Sequence, residues 1–280
     1  MVPACSEPGM RSAILDAHLH TQDTPDSVFS GYLRCISCSA GTEDWQELAA
    51  NRDPRVHPYA GIHPAHIRNK PDGRSDKKQP APRGGDPRLR RLRELLESRP
   101  DMGVGEIGMD RSLYSRVSRQ LQEEYFSRQL QIALEYHRPA VLHVLNCAGA
   151  AAEVLERNSP DIPIMLHSWY EHTENLKRFL KFNCYFSVGP GGHWKHRRTW
   201  EGNARKSSSA HWLKAIPMDR LLIESDWPHG SEREDGHTSH SQLLLSMYER
   251  VAAILEIDRD ELIDIVLRNG KVFTDFPTHR

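Results

Sequence analysis

The chain has 280 residues, 38% of them apolar, with 37 Lys and Arg against 38 Asp and Glu for a net charge of −1. Such a near-neutral chain offers no global field toward nucleic acid or membrane, so any such attraction must come from a local patch, and with no run of about 18 apolar residues no transmembrane helix is expected. The five cysteines, Cys5, Cys35, Cys38, Cys147 and Cys184, are odd in number and scattered, which argues against a disulfide framework; the first thirteen residues lack the apolar core of a signal peptide, so a soluble, cytoplasmic protein is expected.

The first apolar run is ILDAHLH, over 14–20. On a strand, Asp16, His18 and His20 point to one side with Ile14, while Leu15, Ala17 and Leu19 point to the other. Three polar groups on one face of a buried strand are costly without partners. A metal ion is such a partner, and neutral imidazole is its commonest protein ligand; a solvated surface strand is the competing reading. The next run, YLRCISCSA (32–40), carries Cys35 and Cys38. An offset of three sends their thiols to opposite faces, so they read as buried small apolar side chains rather than a redox or zinc pair. VHPYAGIHP (56–64) ends near His63, with His66 just beyond.

Residues 68–93 break the rhythm. They are rich in Pro and Gly and hold ten Lys or Arg against three Asp. The first two-thirds reads as a loop, either a solvated insertion or a contact to nucleic-acid phosphates or an acidic partner. RLRRLRELLES, within 88–98, and the segment 119–137 have apolar residues at offsets of three and four, the helical period. Around them lie MGVGEIGMD (102–110) with Glu106, PAVLHVL (139–145) with His143, IPIMLHSW (162–169) with His167 and Trp169, and NCYFSVG (183–189). A second basic stretch, 193–206, mixes Trp194 and Trp200 with Lys195, Arg197 and Arg198, a combination that holds single strands by stacking and charge. RLLIESDWP (220–228) brings Glu224, Asp226 and Trp227. His193, His196, His229, His237 and His240 fall on loops and are expected mostly in solvent. Trp169 and Trp227 read equally as core or as platforms for a base.

Eight strand-like runs alternating with helical segments imply βα units and a parallel sheet. In a chain of this length they point to the α/β class and a closed (β/α)8 TIM barrel forming a single domain over 1–280. His18, His20, His63, Glu106, His143, His167 and Asp226 all fall near the C-terminal ends of these runs, where barrels build their active sites. A metal site is therefore expected.

DAHLH, GIHP (61–64), GEIGMD (105–110), the His of VLHVL, LHSW, LLIESDWP, the helix pattern Q-x-x-x-F-x-x-Q-L over 122–130 and NGKVF (269–273) together resemble the TatD family of metal-dependent hydrolases. The resemblance implies a (β/α)8 barrel with two divalent ions, here Zn, Mn or Mg. It implies that His18, His20, Glu106 and Asp226 hold one ion and that Glu106, His143 and His167 hold the other, with Glu106 bridging. His63 would contact substrate or leaving group, and Asp226 would also accept a proton from water. Glu224 would orient a ligating histidine, and Asp16 would do the same beneath His18 and His20 or bind metal itself. Family members include DNases acting on DNA ends. This chain departs from the family pattern in four places: Leu145 stands where an Arg follows the fifth-strand His, RSLYSR follows Asp110 in place of an aromatic pair, HPAH (63–66) replaces HPH, and the basic insertion is longer.

The expected function is a metal-dependent deoxyribonuclease or phosphodiesterase, exonucleolytic, with a two-metal-activated hydroxide and with DNA single strands or ends as partner, held in part by Trp194, Lys195, Arg197 and Arg198. Two alternatives are an amidohydrolase-like esterase, lactonase or amidase, and a nuclease-like subunit of a larger nucleic-acid-processing or defence complex docked through 68–93.

Overall fold

The computed structural model of the chain describes residues 13–23, 33–67, 86–190, 211–229 and 239–275. Residues 68–85 of the basic insertion, and the stretch holding Trp194, Lys195, Arg197 and Arg198, lie outside the described residues.

Eight strands form one sheet in the order β1 to β8: β1 (Ile14–Leu19), β2 (Leu33–Cys38), β3 (Val56–Ala60), β4 (Gly103–Asp110), β5 (Ala140–Leu145), β6 (Ile164–Leu166), β7 (Cys184–Val188) and β8 (Leu221–Ile223). Every successive pair is parallel. A parallel bridge between Leu19 and Trp227 joins the last strand back to the first, completing a nearly closed barrel. The helices between them are α1 (Trp45–Ala50), α2 (Pro87–Ser98), α3 (Arg119–Glu135), α4 (Ala148–Asn158), α5 (Thr173–Phe179), α6 (His211–Lys214), α7 (His240–Leu255) and α8 (Arg259–Thr274). This is the expected TIM barrel.

The apolar runs extend past the strands themselves. The named strands end at Leu19, Ala60, Leu166 and Ile223, and His20, His63, His167 and Asp226 follow within three residues. Backbone hydrogen bonds continue past three of these ends, from His20 N to Trp227 O, His167 N to Leu142 O and Asp226 N to His18 O. The expected insertion at 68–93 is also too long: α2 begins at Pro87, where Asp86 caps it by accepting from Arg88 N at 2.8 Å and Pro occupies a first-turn position that needs no N–H. Leu89, Leu92 and Leu96 then recur at helical spacing and bury against the sheet.

Two glutamines on α3 tie helix to barrel mouth. Gln122 accepts from Asp110 N at 2.7 Å and donates to Asp110 O at 3.1 Å. Gln129 does the same to Ile62, at 2.7 and 3.1 Å. Both are fully buried, and each satisfies a backbone N–H and C=O that the end of a strand leaves unpaired. They fix the chain immediately after β4 and immediately before His63. At the other side, Asn269 on α8 donates to Met218 O and Leu221 O, both at 2.8 Å, and so holds the start of β8.

Gly108 lies opposite His143 in the β4–β5 pairing, with φ of 135°. A Cβ there would meet the His143 carbonyl oxygen, so the close approach of the neighbouring backbone requires the glycine. Gly108→Ala is expected to cost about 2 kcal/mol or more through φ strain and the forced separation of the two strands. Thermal melting would then show a drop of roughly 5 °C or more; an unchanged melting temperature would contradict this account of the residue.

Candidate metal centre

The carboxylate of Glu106, in the middle of β4, is the hub. Its Oε1 lies 3.3 Å from His18 Nε2 and 3.4 Å from His20 Nε2. Its Oε2 lies 3.1 Å from His167 Nε2, 3.5 Å from His143 Nδ1 and 3.9 Å from His63 Nε2. Asp226 Oδ1 closes the first group, 3.7 Å from His18 Nε2 and 3.8 Å from His20 Nε2. Among the described residues no arginine pairs with Glu106; imidazoles surround it. Three overlapping sets each offer ligand atoms within 4.8 Å of one another: His18–His20–Asp226, His18–Glu106–His167 and His63–Glu106–His143. The structure thus brings together all seven residues that the sequence placed near strand ends.

Around the hub, an acceptor fixes the outer nitrogen of His20, and carboxylates face those of His167 and His143. His20 Nδ1 lies 3.0 Å from Cys38 O and donates to it, which leaves the Nε2 lone pair facing inward. His167 Nδ1 is 3.6 Å from Glu224 Oε1, and Glu224 is itself fully buried and bonded to Ser187 through its other oxygen. His143 Nε2 is 3.7 Å from Asp110 Oδ2. A cation between the rings fits this arrangement. His18 Nε2 is buried and not aligned for a hydrogen bond with either neighbouring carboxylate, and His143 Nδ1 and His167 Nε2 stand 3.0 Å apart. The donor set, imidazole with carboxylate, suits Zn or Mn, with Mg at a more oxygen-rich position.

His63 differs from the other rings. Its Nδ1 accepts from Ala65 N at 3.1 Å, so the neutral ring carries its proton on Nε2, toward Glu106. Burial, and next the neighbouring His143, push its pKa down to about 3, so it is neutral near pH 7. A neutral ring in this tautomer offers an N–H donor to the centre rather than a lone pair.

Three readings of the sequence change. Asp16 does not face the centre as a ligand. Its Oδ1 accepts from His18 N (3.2 Å) and Ser225 N (3.0 Å), and its Oδ2 from Ser225 Oγ (2.5 Å) and His240 Nε2 (2.6 Å). Four donors fill the four lone-pair positions of a carboxylate. His240, expected in solvent, is buried at the start of α7 because it supplies one of those donors. Trp169 is core, edge-on to Phe179 and Phe186. His229 is exposed and stands edge-on to His20, 5.1 Å between ring centres, and His66 sits one 3₁₀ turn from His63. Asp110, Ser187 and Ser225 also face these groups; in the sequence, Asp110 closes the GEIGMD motif and Ser225 lies within the polar ESD after β8, while Ser187 stands in an otherwise apolar run. A cavity of about 660 Å³ opens beside the C-terminal ends of β4 and β5, lined by Arg111, Tyr114, Asn146, Glu171 and Asn175 among others.

Burial alone would raise the Glu106 pKa, but His167 and His18 and the hydrogen bonds from His143 and His167 hold it well below the ordinary carboxylate range. Burial likewise opposes charge on His167 and His143. Glu106 nevertheless raises His167 well above the usual imidazole value, and Asp110 with Glu106 raises His143. Protonation of this facing pair, whose Nδ1 and Nε2 stand 3.0 Å apart and share one proton between them, favours the metal-free fold most below about pH 6.5 and stops doing so as pH rises through the raised values. A cation must displace that proton. Titration with Mn²⁺ or Zn²⁺ is therefore expected to release protons near pH 7 and to give affinity at least about tenfold weaker near pH 6 than near pH 8. Calorimetry in two buffers of different protonation enthalpy reads both effects; affinity independent of pH would contradict the assignment.

The TatD-related DNase family profile matches residues 15–274. An uncharacterized metal-dependent hydrolase, YabD, of Bacillus subtilis is 25% identical over 182 residues, which cover 64% of this chain and 68% of that protein. The 3'-5' ssDNA/RNA exonuclease TatD of Pantoea ananatis is 32% identical over 141 residues, 49% of this chain and 50% of that one. In fold, the TatD homologue YJJV of Escherichia coli K12 superposes with a TM-score of 0.74 at 21% identity, over 94% of this chain and 98% of that chain. With the profile spanning nearly the whole barrel, the chain belongs to the TatD-related DNase family.

Proposed function

We propose that the protein is a metal-dependent hydrolase that cleaves phosphodiester bonds of nucleic acid, most directly at the ends of DNA strands. The observation that carries this reading is the division of Glu106: one oxygen faces His18 and His20, the other faces His143 and His167. A carboxylate so placed serves two cations at once. His18, His20, Glu106 and Asp226 would hold the first, and Glu106, His143 and His167 the second. When bound, a pair of divalent ions supplies Lewis acidity toward a phosphoryl oxygen and lowers the pKa of water toward 7.

The chain's own groups complete the chemistry. Asp226, at the mouth, takes the proton from the attacking water as general base. His63 donates its Nε2 proton in a hydrogen bond to a phosphoryl or leaving oxygen, a role its tautomer suits. The cavity lined by Arg111, Tyr114, Asn146 and Asn175 gives room for the nucleotide next to the reacting bond, with the Arg111 guanidinium available to a phosphate. Trp194, Lys195, Arg197 and Arg198 would hold the strand further out. The name of the Pantoea relative supports an exonuclease acting from a 3′ end. Leu145, in place of the arginine that follows the fifth-strand histidine in the family, favours a second reading, hydrolysis of an ester, lactone or amide at the same centre.

End-labelled single- and double-stranded DNA with added Mn, Mg or Zn separates the two. Wild type is expected to shorten the strand progressively from one end. Glu106→Ala should fall about 10³-fold or more, and His63→Ala about 10²-fold with metal stoichiometry unchanged. No cleavage with any metal, alongside turnover of ester or amide substrates, would overturn the nuclease reading.

A further inference from the structure

We propose that Asp16, which also accepts from the backbone N–H of His18, is a positioning residue for Asp226, acting across the barrel seam through Ser225 and His240 and touching no histidine ring of its own strand. The inference rests on the metal-centre reading above and extends it to residues that touch no ligand position.

Asp226 has φ of 51°, in the left-handed region that a non-glycine residue adopts only where its surroundings impose it. The imposing contacts lie on both sides. Before it, Ser225 gives its N–H to Asp16 Oδ1 at 3.0 Å and its hydroxyl to Asp16 Oδ2 at 2.5 Å. That hydroxyl in turn accepts from Trp227 N at 3.1 Å, closing a turn over Asp226. On the seam itself, Asp226 N donates to His18 O at 3.0 Å and His20 N donates to Trp227 O at 2.8 Å. The residue is thus bracketed by one strand, and Asp16 is the point where the bracket is anchored.

His240 ties this anchor to a helix. Its Nε2 stands 2.6 Å from Asp16 Oδ2, and its ring lies edge-on to Trp227, 5.9 Å between centres. Tyr248, two turns along α7, donates to Leu15 O at 2.7 Å and pins the same helix to the same strand. Asp16, Ser225 and His240 are fully or almost fully buried. With every lone pair of Asp16 already engaged, the carboxylate has none to spare for a cation. Its effect on the centre passes through the backbone that aims Asp226 at His18 and His20.

The test compares His240→Ala, His240→Gln and Ser225→Ala with wild type, by metal-free crystal structures and by two-site Mn²⁺ titration followed by calorimetry and electron paramagnetic resonance. In His240→Ala the Asp226 carboxylate is expected to leave its place beside His18 and His20. The ion on that side should bind 10- to 100-fold more weakly, as for loss of other groups that orient ligands. The ion beside His143 and His167 should keep its affinity. His240→Gln, which can donate from a similar position, should recover most of the loss. Ser225→Ala keeps the N–H to Asp16 and removes only the hydroxyl, so it serves if His240→Ala fails to fold. Equal weakening of both ions, or an unmoved Asp226 with both affinities intact in a folded variant, would overturn the proposal. If wild type takes up no ion, the metal-centre reading falls, and the position of Asp226 in the metal-free crystals still decides this one.

Discussion

One ionised carboxylate buried among imidazoles sets the terms for the rest of the molecule. Glu106 is almost completely removed from water, and an isolated buried charge of that kind is prohibitively costly. It is tolerable only if positive charge meets both of its oxygens. Metal-free, a proton held by the His143–His167 pair supplies that charge at Oε2, while His18 and His20 face Oε1; metal-bound, cations would supply it on both sides. The barrel is the device that makes the convergence possible, since it delivers side chains from β1, β4, β5 and the segments after β3, β6 and β8 to a single point at its C-terminal mouth. No pair of adjacent strands could do so.

The convergence then has to be held. Imidazoles turn freely unless the outer nitrogen is engaged: Cys38 O accepts from His20, and carboxylates face the outer nitrogens of the other two rings, Glu224 at 3.6 Å from His167 and Asp110 at 3.7 Å from His143. The loop ends are held by buried amides. Gln129 clamps Ile62 ahead of His63, and Gln122 clamps Asp110. Asp16 anchors the turn that carries Asp226. Hydrogen bonds to buried backbone are individually modest, about 1 kcal/mol each, but leaving such groups unpaired costs more.

Local pattern made part of this readable. The alternation of Asp16, His18 and His20 with Leu15, Ala17 and Leu19 announced a strand with a polar inner face, and the eight apolar runs announced the barrel. The positions of His63, Glu106, His143, His167 and Asp226 at run ends announced a shared site. What the sequence hid were the partners at long range. His240 and Asp16 are 224 residues apart, and Ser225 and Asp16 are 209 apart. Nothing in the window around His240 distinguishes a solvated loop histidine from a buried donor. Gln122 and Gln129 were visible as a motif of a family, but their work, capping strand ends, is legible only once α3 is seen against the barrel. The tautomer of His63 depends on one backbone N–H two residues away, a matter of loop geometry rather than residue type.

The proposal that Glu106 serves two cations, one on each oxygen, is decided by anomalous diffraction from crystals soaked in Mn²⁺, recorded near the manganese edge. Two peaks roughly 3.5–4 Å apart are expected, one among His18, His20 and Asp226 and one between His143 and His167, with Glu106 between them. A single peak, or peaks that leave Glu106 out, would contradict it.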